Sequence, residues 1–160
     1  MVVVRGAGDA DRTAALAVWR AASTARRGWV PLPEREAQMR RNVSKPDACL
    51  VVATEGVVAV GMALAMPSRA NDGAGPPVPG VCYIDMVAVL PDRWGQGIGG
   101  QLVDALLSEA RARGYDRAQL WTHATNRRAQ RLYESRGFQR TGRERGAADG
   151  EQSVQYVCAL

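Results

Sequence analysis

"DRWGQGIGGQL", residues 92–102, decides how this chain is read. Gly95, Gly97 and Gly100 fit G-x-G-x-x-G, the glycine pattern that lets a backbone turn tightly against a dinucleotide pyrophosphate. Its place in the chain argues against that use. A Rossmann unit carries its glycines in the first strand-to-helix turn, with an acid about 20 residues on, near the end of the next strand. Here the glycines follow a hairpin and a third strand. Asp116 has that separation from Gly95 but precedes its strand. Too little chain follows for the remaining βαβ units, and no Gly-Lys-Ser/Thr forms a Walker loop. What survives is physical: small residues admit a phosphate to the free N–H groups at a helix N-terminus.

Working outward, "VCYIDMVAV" at 81–89 reads as the strand that leads into the turn. The helix that follows runs to about Arg113, with Ile98, Leu102, Val103, Leu106, Leu107 and Ala110 as its apolar stripe and Gly114 as its stop. "RAQLWTH" at 117–123 is the next strand. "NRRAQRLYESR" at 126–136 is a helix with Ala129, Leu132 and Tyr133 on one face, stopped by Gly137. "FQRTGRE" and "SVQYVCAL" pair as a last hairpin around Asp149-Gly150.

Upstream, "VVVR" at 2–5 is a strand. "DADRTAALAVWRAAS" is a helix with Ala14, Ala15, Val18, Trp19 and Ala22 on its stripe. "EREAQMRRNV" is a short polar helix, and "ACLVVAT" and "VVAVGMALAM" form a hairpin. The Gly- and Pro-rich "PSRANDGAGPPVPG" at 67–80 predicts a mobile loop. The order is β-α-α-β-β-β-α-β-α-β-β. That predicts one α/β domain over 1–160, with a mixed, mostly antiparallel sheet flanked by helices.

The composition, 46% hydrophobic and 23% charged, is that of a soluble globular chain. No apolar run reaches the roughly 18 residues that span a bilayer. The start shows no secretory pattern, so the expected location is cytoplasmic. The net charge is +5, and Lys45 is the only lysine among 21 basic residues. The arginines are scattered, which favours an anionic small ligand over nucleic acid. Cys49, Cys82 and Cys158 sit among apolar residues. Their odd number and the absence of CxxC argue against disulfides and zinc, and the lone His123 builds no metal site. The sequence calls for no membrane, no nucleic acid and no metal, and admits a homodimer.

"VAVLPDRWGQGIGGQLVDALLSEARARGY" resembles the acetyl-CoA-binding motif of the GCN5-related N-acetyltransferase (GNAT) superfamily. "NRRAQRLYESRGF" resembles the motif that follows it there, N-x-x-A-x-x-x-Y-x-x-x-G-F. Spacing and order match, and the element order fits along nearly the whole chain. One departure stands out. The family loop is written Gln/Arg-x-x-Gly-x-Gly/Ala, and Trp94 occupies the Gln/Arg position, followed by Gly95, Gln96, Gly97, Ile98 and Gly99.

The resemblance implies acetyl-CoA as co-substrate and direct attack of an amine in a ternary complex. It implies that strand 81–89 splays from strand 118–122, so that the backbone of Val87, Ala88 and Val89 pairs with pantetheine. Amides from Gln96 to Gln101, Gly100 among them, would cradle the pyrophosphate. Arg93 would supply charge beside them. Asn126 and Ala129 would flank the cofactor from the next helix, although Asn126 reads equally well as that helix's N-cap. Tyr133 is the candidate acid for the departing thiolate. Strand alternation puts Tyr83, Asp85, Val87 and Val89 on one face. An acid in mid-strand among apolar neighbours is costly unless used or paired, which makes Asp85 the candidate base. Trp29, in the loop between the first helices, and Tyr83 are the acceptor-side candidates, together with the hairpin loop near 143–151. The acceptor is a primary amine on a small molecule or a protein. The alternative from another class is a non-catalytic CoA-binding sensor or interaction module.

Overall fold

Valine-rich and alternating stretches become strands, and the apolar stripes become helices that cover them. In the computed structural model, which describes residues 1–146 and 150–160, the strands are Val2–Gly6 (β1), Cys49–Glu55 (β2), Val58–Arg69 (β3), Pro77–Val89 (β4), Arg117–His123 (β5), Gln139–Gly146 (β6) and Gln152–Ala159 (β7). The helices are Arg12–Arg27 (α1), Pro33–Val43 (α2), Ile98–Ala112 (α3) and Arg127–Glu134 (α4). The element order is the expected one. Among the described residues no helix is long and apolar enough to cross a membrane. Asp149, placed in the last hairpin turn from sequence, lies outside the described residues.

The strands form one sheet in the spatial order β1-β2-β3-β4-β5-β7-β6. Every pairing is antiparallel except β4 with β5. On one face, Ile98, Leu102, Val103, Leu106, Leu107 and Ala110 of α3 pack with Cys82, Ile84, Ala118, Leu120, Tyr133 and Tyr156. On the other face, Ala15, Val18 and Trp19 of α1 and Met39 and Val43 of α2 pack on Val52, Met62, Leu64 and Ala88. The α1 stripe differs in one place: Ala14 is exposed, and Leu16 packs in its stead.

Two strand readings need correction. The stretch 67–80 is no loose loop. β3 continues to Arg69 and β4 begins at Pro77, with Arg69 opposite Pro77 and a 3₁₀ turn at Asn71–Gly73 between them. The prolines misled because an edge-like hairpin extension tolerates them.

Between Leu64↔Met86 and Ala65↔Ile84 the register slips, so Asp85 is the extra residue of a β-bulge. The bulge breaks the alternation. Ile84, Val87 and Val89 pack toward α3, whereas Met86 and Ala88 pack toward α1 and α2, where Asp85 meets Asn42. Asp85 therefore does not share a face with Val87 and Val89.

Candidate active site

β4 and β5 pair only at Val81↔Arg117, Cys82↔Ala118 and Tyr83↔Gln119; beyond Tyr83 they part. The Leu90 amide donates to the Val60 carbonyl at 2.9 Å. In an antiparallel ladder alternate residues point at the partner strand. Ala88 therefore turns its amide and carbonyl to β3, where it lies opposite Met62, and Val87 and Val89 turn theirs into the gap beside β5. This removes Ala88 from the expected set: its backbone is spent on β3 and its side chain is buried.

The gap leads to the glycine turn. Gly95 and Gly97 have φ of +81° and +80°, a left-handed backbone that favours glycine. A Cβ placed on Gly97 would meet nothing within 4 Å. Gly97 is the N-cap of α3, and its carbonyl accepts from the Gln101 amide at 3.2 Å. Gln101 is thus already satisfied and leaves the expected cradle. Among the described residues the amides of Gln96, Gly97, Ile98, Gly99 and Gly100 make no such bond. An open run of N–H groups with an empty Cβ direction at Gly97 fits a pyrophosphate, and the Val87 backbone with the Val89 amide fits an extended amide chain.

The flanking residues divide. Arg93 reaches back to the turn between β2 and β3, where Nε and Nη2 donate to Glu55 Oε2 at 3.1 and 2.7 Å. Its charge is committed there rather than to the glycine turn. Asn126 Oδ1 accepts from the Ala129 amide at 3.2 Å, so Asn126 is the N-cap of α4 and the Ala129 amide is used. Trp94, at the departure from the family pattern, donates from Nε1 to the Val89 carbonyl at 2.8 Å. The Arg128 guanidinium lies over its ring, 5.3 Å from the centroid.

Tyr133 stands on α4 with its ring in the core, edge-on to Phe138 at 5.6 Å and tilted against Tyr156 at 6.5 Å. Burial, and then Tyr83, push its phenol well above the ordinary tyrosine range. Among the described residues its hydroxyl makes no hydrogen bond. A buried tyrosine hydroxyl ordinarily finds a partner, so this one is available. Burial first, and then the Asp85 charge, also raise the Tyr83 phenol, with Arg145 and Arg35 acting against them. Asp85 is held above the usual carboxylate range by burial, opposed by Arg35, by the Asn42 hydrogen bond and by Lys45. Tyr83 thus feels the Asp85 charge, and Tyr133 feels Tyr83.

The surroundings add residues that sequence reasoning missed. Trp121 on β5 carries Arg143 and Arg145 over its ring, at 5.5 and 4.3 Å from the centroid, and Arg143 is tied to Asp72 at 3.1 Å. The hairpin extension at 67–80 and β6 therefore close over the same strand. The buried Gln130 donates to the carbonyls of His123 and Ala124 at 3.0 and 2.8 Å, which seats α4 at the end of β5. At that end Arg27 of α1 reaches His123, at 3.3 Å. Trp29, two residues on, is 58% exposed beside exposed Val30 and Leu32. The sequence marked none of these long-range pairings, because each joins elements far apart in the chain.

The chain belongs to the acetyltransferase (GNAT) family, whose model matches residues 15–138. Among curated proteins, the mycothiol acetyltransferase of Beutenbergia cavernae is 36% identical over 84 residues, 52% of this chain and 25% of that protein. The chain thus spans about a quarter of the length of the curated relatives it matches. Among solved structures, the ribosomal-protein-S18-alanine N-acetyltransferase of Escherichia coli superposes with a TM-score of 0.77 at 22% identity, over 100% of this chain and 94% of that one. The yncA protein of Salmonella typhimurium, solved with its cofactor acetyl-CoA, gives 0.76 at 22% identity over the same shares. At these identities the structural likeness is one of fold.

Proposed function

We propose that this chain transfers an acetyl group from acetyl-CoA to a primary amine by direct attack within a ternary complex. The observation that carries the reading is the parting of β4 from β5. It leaves the Val87 backbone and the Val89 amide open and leads into the turn at Gly95 and Gly97, where the Cβ direction of Gly97 is empty. The thioester supplies an acyl carbon that an amine can attack. The Val87 and Val89 edge would hold the pantetheine arm, and an amide on that edge would receive the charge developing on the carbonyl oxygen. The amides from Gln96 to Gly100 would hold the pyrophosphate. Asp85 would take the proton the acceptor ammonium must lose, and burial, which raises its pKa, makes its carboxylate the more basic. Tyr133 would give its proton to the departing thiolate, completing the transfer. A thiol pKa near 8.5 makes that help useful but not indispensable.

Tyr83 and Trp29 belong on the acceptor side of this scheme. The relatives are named for mycothiol and for the alanine of a ribosomal protein, so both small-molecule and protein amines are acceptor classes to test. The experiment is an amine screen with acetyl-CoA, following released CoA as free thiol, alongside calorimetry of acetyl-CoA alone. Binding with CoA release supports the enzyme. Binding with no release across both acceptor classes supports a CoA-responsive module instead, and no binding ends the reading.

A further inference from the structure

Arg128 stands in the first turn of α4 and lies beside the glycine turn. A Cβ on Gly95 would sit 3.5 Å from its Nη2. The guanidinium rests on the Trp94 ring, and Trp94 is itself fixed by its bond to the Val89 carbonyl. Three other arginines near the site are discharged by acids: Arg93 by Glu55, Arg136 by Asp104 and Arg143 by Asp72. Among the described residues Arg128 has no acidic partner. It is also a cation held close to the positive end of α3, the wrong sign for that helix terminus. Such an arrangement repels unless an anion lies between the guanidinium and the open amides. Stacking on the indole restricts the side chain in advance, so less freedom is lost when it engages an anion.

We infer that Arg128 is the cationic ligand of the pyrophosphate and that Trp94 is a positioning residue that holds it there. This inference rests on the acetyl-CoA reading. It explains the one departure from the family's loop pattern: the side chain absent from position 94 is replaced by a cation from α4, presented on an aromatic platform.

The test is calorimetry at low salt with CoA and with 3′-dephospho-CoA. Arg128→Ala weakens both by the same factor, about tenfold or more, the loss expected for a charge-assisted hydrogen bond. Trp94→Ala produces a similar loss, and Trp94→Phe, which keeps an aromatic face, restores most of the affinity. Arg127→Ala changes neither. Loss for CoA alone overturns the assignment in favour of the 3′-phosphate. An unchanged Arg128→Ala, with melting temperature preserved, overturns it outright. A wild-type protein that binds neither ligand overturns the acetyl-CoA reading itself, a result distinct from both.

Discussion

Asn42 on α2 donates from Nδ2 to Asp85 Oδ2 at 3.4 Å, across from the bulge that turns Asp85 out of the strand's alternation. The bond favours the ionised carboxylate, and burial opposes it more strongly.

The balance at Asp85 has a sign. Its folded pKa lies above the unfolded value of about 3.9, so the folded state holds the proton more tightly. The stability it contributes is present below that unfolded value and is lost as pH rises through the folded pKa. Asp85→Asn is therefore expected to melt higher than wild type at pH 7, with the difference closing below about pH 4. Turnover is expected to fall roughly tenfold or more, most at low pH where the amine is protonated. Melting curves from about pH 3 to 8 and kcat across pH 6 to 9 check the two. Unchanged kinetics with the stability shift present assign the proton to water.

Tyr133 remains protonated well past neutrality, since burial lifts its phenol. The rate is thus expected to show no alkaline decline from this group. Tyr133→Phe keeps the ring against Phe138 and removes only an unpartnered hydroxyl. Turnover should drop roughly tenfold to a thousandfold, with acetyl-CoA affinity and melting temperature held. A turnover equal to wild type removes Tyr133 from the chemistry.

Gly97 offers a charge test free of crowding, because its Cβ direction is empty. Asn and Asp both tolerate a left-handed backbone better than other residues and are nearly isosteric. Gly97→Asn and Gly97→Asp should fold alike, and only the aspartate should abolish acetyl-CoA binding by calorimetry. Equal affinities for the two variants place the pyrophosphate elsewhere.

Trp29 is more than half exposed on the loop between α1 and α2. Trp29→Ala is expected to leave the melting temperature and acetyl-CoA affinity unchanged and to lower kcat/KM for the amine. Normal amine kinetics move the acceptor wall to Trp121 and the β6 arginines.

The parts legible in sequence were those written in local chemistry. The glycine turn, the α3 stripe and the bounds of β5 at 117–123 follow from periodicity and from residues that only turns need. The rest depended on contacts between distant segments. The bulge at Asp85 follows from how β3 pairs with β4, and period-two reading passes over it. Nothing near Arg93 announces Glu55, 38 residues away. "NRRAQR" gives three arginines, and only the seating of α4 selects Arg128. Asn126 could be read either way, and the structure shows its cap bond from the Ala129 amide.

The cysteines have a use at the bench. Cys49 and Cys82 are buried and pushed up to about 11, and Cys158 is raised as well. At pH 8 only about one in a thousand of the first two is thiolate, against roughly a quarter of an ordinary free thiol. A disulfide reagent such as the common nitrobenzoate dye therefore colours with released CoA and not with the folded protein. When the chain unfolds, three hidden thiols emerge, so the same absorbance that counts turnovers also reports loss of the fold.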